Sequence, residues 1–219
     1  MVKTKTSTQT NNTETYFYDT QNRVVKITNS NFTSFSTFEY IGDSVFQYAH
    51  KSDSTFYLNA KYLFNNKKLQ TERLQLSPWT FSNEEEKFSY ETNDFLKTYF
   101  YSVTDYTTND TLANDGTNFT QRRGTAYGLA GTWTFATNYT YYSNANTIGN
   151  ENFGKPFLGK SSANVLKSET QITVNHYTIP ETTTNSVINY TYDFDNYGRV
   201  ITQYATSDAS SVTTTYTYY

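Results

Sequence analysis

One short acidic segment has part of the composition of a calcium loop. Residues 193–198 read Asp-Phe-Asp-Asn-Tyr-Gly, with glycine at the sixth position, where an EF-hand loop requires it. The fifth position is Tyr197 and the twelfth is Tyr204, so the oxygen ligands expected at both positions are missing. We therefore predict a turn here, and the sequence indicates neither a metal site nor a cofactor.

Two further groups of residues suggest acid–base or metal chemistry. Glu84 and Glu86, in a run of three glutamates, could share one strand face and act as an acid pair in glycoside hydrolysis. No other residue completes that geometry, so a solvated, charged turn is the preferred interpretation. His50 and His176 are far apart and lack a second histidine at metal-binding spacing, so we expect both on strand faces. No catalytic residue is predicted.

Aromatic side chains are the better candidates for a binding surface. Flat rings stack on the faces of sugars, and the two tryptophans lie beside the loop signals Pro78 and Gly131. In a core built from Tyr and Phe, packing is the favoured interpretation, and Trp79 and Trp133 are the better candidates for binding. The candidate ligand or partner surface consists of Trp79, Tyr127, Trp133, Tyr139 and Tyr141.

The composition favours strands as the elements that position these residues. Of 219 residues, 18% are aromatic, including 22 tyrosines and 16 phenylalanines, whereas only 36% are hydrophobic in total. Aromatic residues and threonine favour the half-buried face of a sheet, so Tyr and Phe must fill the interior. The net charge of −3 gives no basic surface for nucleic acid, and the absence of cysteine excludes disulfides, a thiol nucleophile and cysteine-bound zinc.

A recurring pattern predicts how the strands are joined. It has two aromatic residues separated by one position, then Asp or Asn, a turn, and a basic–aliphatic restart. Its copies are 16–19 with 23–24, 62–65 with 68–69, and 190–193 with 198–200. Because this pattern is typical of a β-hairpin, we predict one all-β domain over residues 14–219. Consecutive hairpins would form a single large curved antiparallel sheet or a partly open barrel.

Two regions depart from this pattern. Residues 1–13 are polar, with almost nothing to bury, and are predicted to be a disordered tether. Seven of the nine glycines lie between Gly116 and Gly159, so longer loops and irregular strands are expected there. Any specific site is expected in this glycine-rich middle, 107–160.

Three segments resemble a Bacteroidetes family of cell-envelope lipoproteins of unknown function with a porin-like fold: 16–25, 155–167 and 189–202. The Tyr-x-Tyr-Asp hairpins among them are similar to those of YD repeats. The resemblance extends over most of residues 14–219 and implies a many-stranded antiparallel sheet curled like part of a barrel. It also implies an exported protein, anchored to the outer membrane and facing the periplasm or the cell surface, and it implies no activity.

The expected function is binding rather than catalysis. We expect a non-enzymatic envelope lipoprotein that presents a curved β surface to an outer-membrane protein complex or a glycan. The competing hypothesis is a carbohydrate-active enzyme that uses carboxylates near the glycine-rich middle. A transmembrane barrel is not favoured, because residues 211–219 show no continuous apolar face. Membrane contact is expected only through a lipid anchor.

Overall fold

Antiparallel strands make up the architecture of the described part of the chain. The computed structural model describes residues 2–51, 55–67, 69–75, 84–129, 131–148 and 160–219. Within these ranges, no helix is long and apolar enough to cross a membrane. The strands are β1 (Val2–Ser7), β2 (Asn12–Tyr18), β3 (Val24–Asn29), β4 (Phe35–Ile41), β5 (Ser44–His50), β6 (Phe56–Phe64), β7 (Gln70–Gln75), β8 (Glu85–Tyr90), β9 (Leu96–Val103), β10 (Tyr106–Asn114), β11 (Phe119–Gly128), β12 (Gly131–Ala145), β13 (Asn164–Asn175), β14 (Thr182–Phe194), β15 (Val200–Thr206) and β16 (Ser211–Tyr218).

These strands close into one barrel. Each strand pairs antiparallel with the next along the chain, and β1 pairs with both β2 and β16. The prediction of an all-β antiparallel fold made of consecutive hairpins is therefore confirmed. The sheet is fully closed, whereas the sequence left a partly open barrel as an alternative.

Residues 2–7 form β1 of the barrel wall and residues 12–13 begin β2, which corrects the expectation of a disordered tether. Thr4 lies opposite Thr15 on one side and Thr217 on the other, and the Thr4 and Thr217 hydroxyls are 2.7 Å apart. A strand between two neighbours satisfies its backbone hydrogen bonds whatever its side chains are. A polar segment can therefore close a barrel although it has little to bury.

The glycine-rich middle is also more regular than its composition suggests. β11 and β12 are long strands, and residues 106–113 of β10 pair with residues 121–128 of β11 without a break in register. Gly124 lies inside β11, where longer loops and irregular strands were expected. The reason is that glycine here leaves room for the side chains of neighbouring strands, as described below.

Tyrosine fills much of the barrel interior. Along each strand alternate residues face inward, and the buried set includes Tyr16, Tyr62 and Tyr216. Their hydroxyl groups have partners: Tyr16 donates to Glu14 Oε2 (2.6 Å) and Tyr216 donates to Gln203 Oε1 (3.1 Å). Such bonds allow a polar ring to fill an interior that contains few aliphatic residues.

A repeated turn begins several strands at one end of the barrel. Asp195 Oδ1 accepts hydrogen bonds from the backbone N–H of Tyr197 and Arg199, while Asp195 Oδ2 accepts one from Arg199 Nε (2.8 Å). Both carboxylate oxygens are thus used within residues 195–199, which form a turn. Arg199 also lies over the Tyr218 ring at 4.7 Å, and Tyr218 donates to the carbonyl of Val200 (2.6 Å).

The same arrangement occurs at the first copy of the hairpin pattern. Asp19 accepts from the backbone and guanidinium of Arg23, which lies 4.3 Å from the Tyr40 ring centre. Tyr40 in turn donates to the carbonyl of Val24, which is fully buried like Val200. The turn therefore ties together three successive strands and is more than a local bend.

The two ends of the barrel differ. The distal end carries the turns that follow the odd-numbered strands, including the turn between β11 and β12, and the terminal end carries the other turns and both chain termini. At the terminal end the connection between β12 and β13 contacts distant strands. The backbone N–H of Val200 donates to Thr147 Oγ1 (2.9 Å), and that of Phe119 donates to Ser162 Oγ (3.1 Å). The described flanks of this connection thus cover part of the terminal end.

The closure predicts that β1 stabilises the whole barrel. We expect replacement of residues 2–7 by a Gly/Ser segment of equal length to lower the thermal unfolding midpoint and to promote association. Glycine weakens strand pairing because it loses more backbone entropy on folding and has no side chain to pack, so β2 and β16 would be exposed more often as open sheet edges. Circular dichroism and size-exclusion chromatography measure both effects. A matched control replaces the exposed turn residues 208–210, and an unfolding midpoint unchanged by the β1 replacement would contradict the closed barrel.

The buried tyrosines predict alkaline unfolding. Burial raises the pKa of Tyr18, Tyr40 and Tyr192 from 10.0 to about 12. A group with a raised pKa in the folded state contributes stability that is complete below pH 10.0 and is lost as the pH rises to about 12. We expect the unfolding midpoint to fall steeply in that interval, together with cooperative appearance of phenolate absorbance. Gradual, non-cooperative phenolate formation in a barrel that stays folded would contradict it.

Candidate functional site

The described residues form a cavity inside the barrel near its distal end. Its volume is about 450 Å³, and four neighbouring strands, β10 to β13, supply its walls. The lining residues are Tyr106, Arg122, Ala126, Trp133, Phe135, Thr137, Gln171 and Thr173. Aromatic rings, one guanidinium group and short polar side chains therefore line one open cavity.

Strand register brings these residues to the same face. Ala126 of β11 lies opposite Trp133 of β12. Four residues earlier on β11, Arg122 lies opposite Thr137 on the same inward face. Thr137 in turn lies opposite Gln171 of β13. Because alternate residues of a strand share a face, the neighbours of these residues in sequence point outward.

The cavity exists because one strand lacks bulk on its inward face. Three successive inward positions of β11 are Gly124, Ala126 and Gly128. The rings of Tyr106 and Trp133 flank Gly128, where a Cβ atom would lie 3.4 Å from each of them. Large residues on β10 and β12 thus surround a shallow β11 wall, which leaves the space that the cavity occupies.

Gly124 has a stricter role than its neighbours. A Cβ atom at this position would lie 2.3 Å from Asp110 Oδ1 and 2.4 Å from the Phe135 ring. Asp110 and Phe135 reach over Gly124 from the strands on either side, where each is paired directly opposite it. Glycine is therefore needed for these two side chains to keep their places.

An ion pair lies beside the cavity. Arg122 donates from Nε (2.8 Å) and from Nη2 to the same oxygen, Asp110 Oδ2. The Asp110 carboxylate has 0% exposure, whereas 40% of the Arg122 side chain is exposed. Asp110 Oδ1 accepts no hydrogen bond from the described residues. Burial raises the pKa of Asp110 even though Arg122 acts in the opposite direction.

Arg122 has donors left over from this pair. A guanidinium group carries five N–H donors, and two of them engage Asp110. The group also lies 5.3 Å from the centre of the Phe135 ring, which lines the same cavity. The remaining donors are available to a ligand because Arg122 lines the cavity.

The residues predicted as a binding surface do not form one surface. Trp133 lines the cavity, and Tyr127 faces outward with 49% of its surface exposed. Tyr139 and Tyr141 share the inward face of Trp133 but lie nearer the terminal end, where the Tyr141 hydroxyl is 3.0 Å from Ser162 Oγ. Burial raises the pKa of Tyr139 to about 12. Trp79 lies outside the described residues.

Of the two glutamates considered as an acid pair, Glu86 lies in β8 and Glu84 directly precedes that strand, which corrects their interpretation as a solvated turn. Glu86 of β8 lies opposite Arg73 of β7 with its Oε1 3.0 Å from Arg73 Nη1, and Glu84 Oε2 is 4.0 Å from the same nitrogen. Burial raises the pKa of Glu86. Both carboxylates are thus engaged by one arginine, and neither lines the described cavity.

The two histidines are occupied by neighbouring side chains. His50 stacks on Phe35 at 4.4 Å between ring centres, and its Nε2 is 2.8 Å from Thr37 Oγ1. His176 Nδ1 is 2.8 Å from Glu181 Oε1. Among the described residues, no group of three or more His, Asp or Glu is placed to hold a metal ion.

Sequence reasoning missed most of the cavity. Tyr106, Arg122 and Gln171 were not among the candidates, and the register that joins them to Trp133 is set by pairing across four strands. The available signal was the alternation within residues 122–128, where every second residue after Arg122 is glycine or alanine.

Comparison with known proteins adds information about the fold. No family model matches the sequence, and no curated protein matches it. The structure is similar to the crystal structure of a porin-like protein from Bacteroides uniformis, with a TM-score of 0.59 and 14% sequence identity. The likeness covers 94% of this chain and 90% of that chain. It shows that this chain has a porin-like fold.

The contacts around Gly124 predict a sharp difference between two glycines of β11. Gly124→Ala should lower the free energy of unfolding by about 1–3 kcal/mol, because Asp110 and Phe135 must move. Gly128→Ala, with contacts of 3.4 Å, is the matched control and should cost less. Chemical denaturation measures both. Equal stabilities for the two variants would contradict the packing described here.

Proposed function

We propose that this protein is a non-enzymatic binding protein of the bacterial cell envelope that takes a carbohydrate into its barrel. The observation that carries the proposal is the cavity near the distal end, which the Trp133 and Tyr106 rings line together with Arg122, whose N–H donors are only partly used by Asp110. Its volume of about 450 Å³ lies within the range of small-molecule sites, about 300–1,000 Å³.

The lining has the two kinds of group that sugars need. Aromatic rings offer flat apolar faces for the C–H side of a pyranose, and Arg122, Thr137 and Gln171 offer hydrogen bonds to hydroxyl groups. A closed barrel has its concave surface inside. The expected partner is therefore a ligand small enough to enter, and a glycan fits this requirement better than an envelope protein.

The competing hypothesis of a carbohydrate-active enzyme has less support. Glycoside hydrolysis needs two carboxyl groups on either side of the scissile bond. The described residues that line the cavity include no carboxylate, and Asp110 beside it is covered and paired with Arg122. Glu84 and Glu86 are both held by Arg73. Binding without hydrolysis is the function that this arrangement favours.

The proposed location is the envelope, with the barrel in water and a lipid anchor supplying attachment to the outer membrane. The likeness to a porin-like protein of Bacteroides supports an envelope role, as does the resemblance of the hairpins to envelope lipoproteins. The outward face supports an aqueous barrel, because it carries hydroxyl pairs such as Thr6–Thr13 and charged pairs such as Glu72–Lys87. Lipid-facing strands would carry an apolar band there.

The proposal predicts that Trp133 contributes directly to ligand binding. In a Trp79→Phe background Trp133 is the single tryptophan, so binding of neutral and acidic oligosaccharides should change its fluorescence. Trp133→Ala should weaken binding about tenfold or more, measured by calorimetry, because a stacking surface is removed. Tyr127→Ala is the matched control, since Tyr127 lies on the neighbouring strand and faces outward.

The same experiment tests the enzymatic alternative. Mass spectrometry of the oligosaccharides after incubation should show the starting material alone. Cleavage products would favour the enzyme, whereas equal binding by the Trp133→Ala variant and the wild type would argue against the cavity as the site.

A further inference from the structure

The charge of the cavity wall bears on the chemical class of the ligand, and the following step rests on the function proposed above. Arg122 is the one charged residue among the described residues that line the cavity. Its counter-ion, Asp110, is buried over Gly124 with 0% side-chain exposure and is not among the lining residues, while the Arg122 side chain is 40% exposed. A ligand in the cavity therefore meets the positive member of the pair and not the negative one.

The hydrogen bonds of the pair leave Arg122 able to bind a second anion. Both contacts with Asp110 use a single carboxylate oxygen and involve only Nε and Nη2. The Nη1 group and the second proton on Nη2 point away from this oxygen and remain as donors in the planar fork. Adjacent N–H groups of such a fork match two oxygens of a carboxylate or sulfate.

The contact with Asp110 positions the Arg122 guanidinium group and leaves some of its N–H donors unused. Asp110 Oδ1 and the Phe135 ring both lie over Gly124, at the place where a Cβ atom would be. The centre of the Phe135 ring lies 5.3 Å from the Arg122 guanidinium carbon. Arg122 thus contacts a buried carboxylate and a ring, and it lines the same cavity as Trp133 and Tyr106.

From this geometry we infer that the ligand is an anionic carbohydrate, a short sugar chain whose carboxylate or sulfate group binds the free edge of Arg122 while a sugar face stacks on Trp133. The aromatic rings recognise the sugar, and Arg122 selects the charge. The sequence also supplies a matched control, because Arg123 is the next residue and faces outward with an exposed side chain.

The test compares charged and neutral forms of the same sugars by calorimetry on the full chain. The probes are trigalacturonate and its methyl ester, and a sulfated galactose oligosaccharide and its desulfated form. We expect at least one acid to bind roughly ten- to a hundredfold more tightly than its neutral counterpart. Which acid does so distinguishes a carboxylate from a sulfate ligand.

Variants assign this preference to Arg122. Arg122→Gln should abolish the preference for the acid and leave binding of the neutral form nearly unchanged. Arg123→Gln changes the net charge by the same amount and should keep the preference. Because Arg122→Gln leaves Asp110 buried without a partner, the double variant Asp110→Asn/Arg122→Gln removes both charges. Circular dichroism shows which variants are folded.

The outcomes separate this inference from the function on which it rests. Equal affinity for acid and neutral forms overturns the anionic ligand and leaves carbohydrate binding in place. A preference that persists in the folded double variant overturns the role of Arg122 in selecting the charge. Absence of binding by all four probes overturns both. A preference lost equally in Arg123→Gln would assign it to overall charge and would also overturn the role of Arg122.

Discussion

The pairing of β1 with β16 is the constraint on which the rest of the structure depends. It joins the two ends of the chain's sheet, so that residues 213 positions apart, Thr4 and Thr217, lie side by side. Without this contact the strands would form a curved sheet with two open edges and a face exposed to solvent. With it, half of every strand faces an enclosed interior, and each inward residue must be packed or hydrogen-bonded.

Closure explains why this chain uses tyrosine where other cores use leucine. A barrel of many strands has a wide interior, and a long ring reaches further across it than an aliphatic side chain does. The hydroxyl at the end of that ring then finds an acceptor on a neighbouring strand, as Tyr40 does at Val24 and Tyr218 at Val200. The raised pKa of the buried phenols is a consequence of the same packing.

The hairpin architecture could be predicted from the sequence, whereas the site could not. At Asp19 and Asp195 local contacts alone hold the turn. Each carboxylate accepts hydrogen bonds from two backbone N–H groups and from the side chain of the arginine four residues later. Closure depends instead on pairing between the chain's first and last strands, for which the polar side chains of β1 give no signal. The cavity depends on register across β10 to β13, and no local pattern encodes it.

Arg122 and Arg123 illustrate why the site could not be predicted from residue types alone. The two residues are identical and adjacent, yet strand alternation sends one into the cavity beside Asp110 and the other to the surface. The small inward residues of β11 were also misleading in the sequence. Their composition is typical of loops, whereas the strand register places them in the shallow wall of a cavity. The regular hairpins therefore build a filled barrel. Specific chemistry becomes available where small inward residues interrupt that filling, because a buried carboxylate there holds an arginine that lines the cavity.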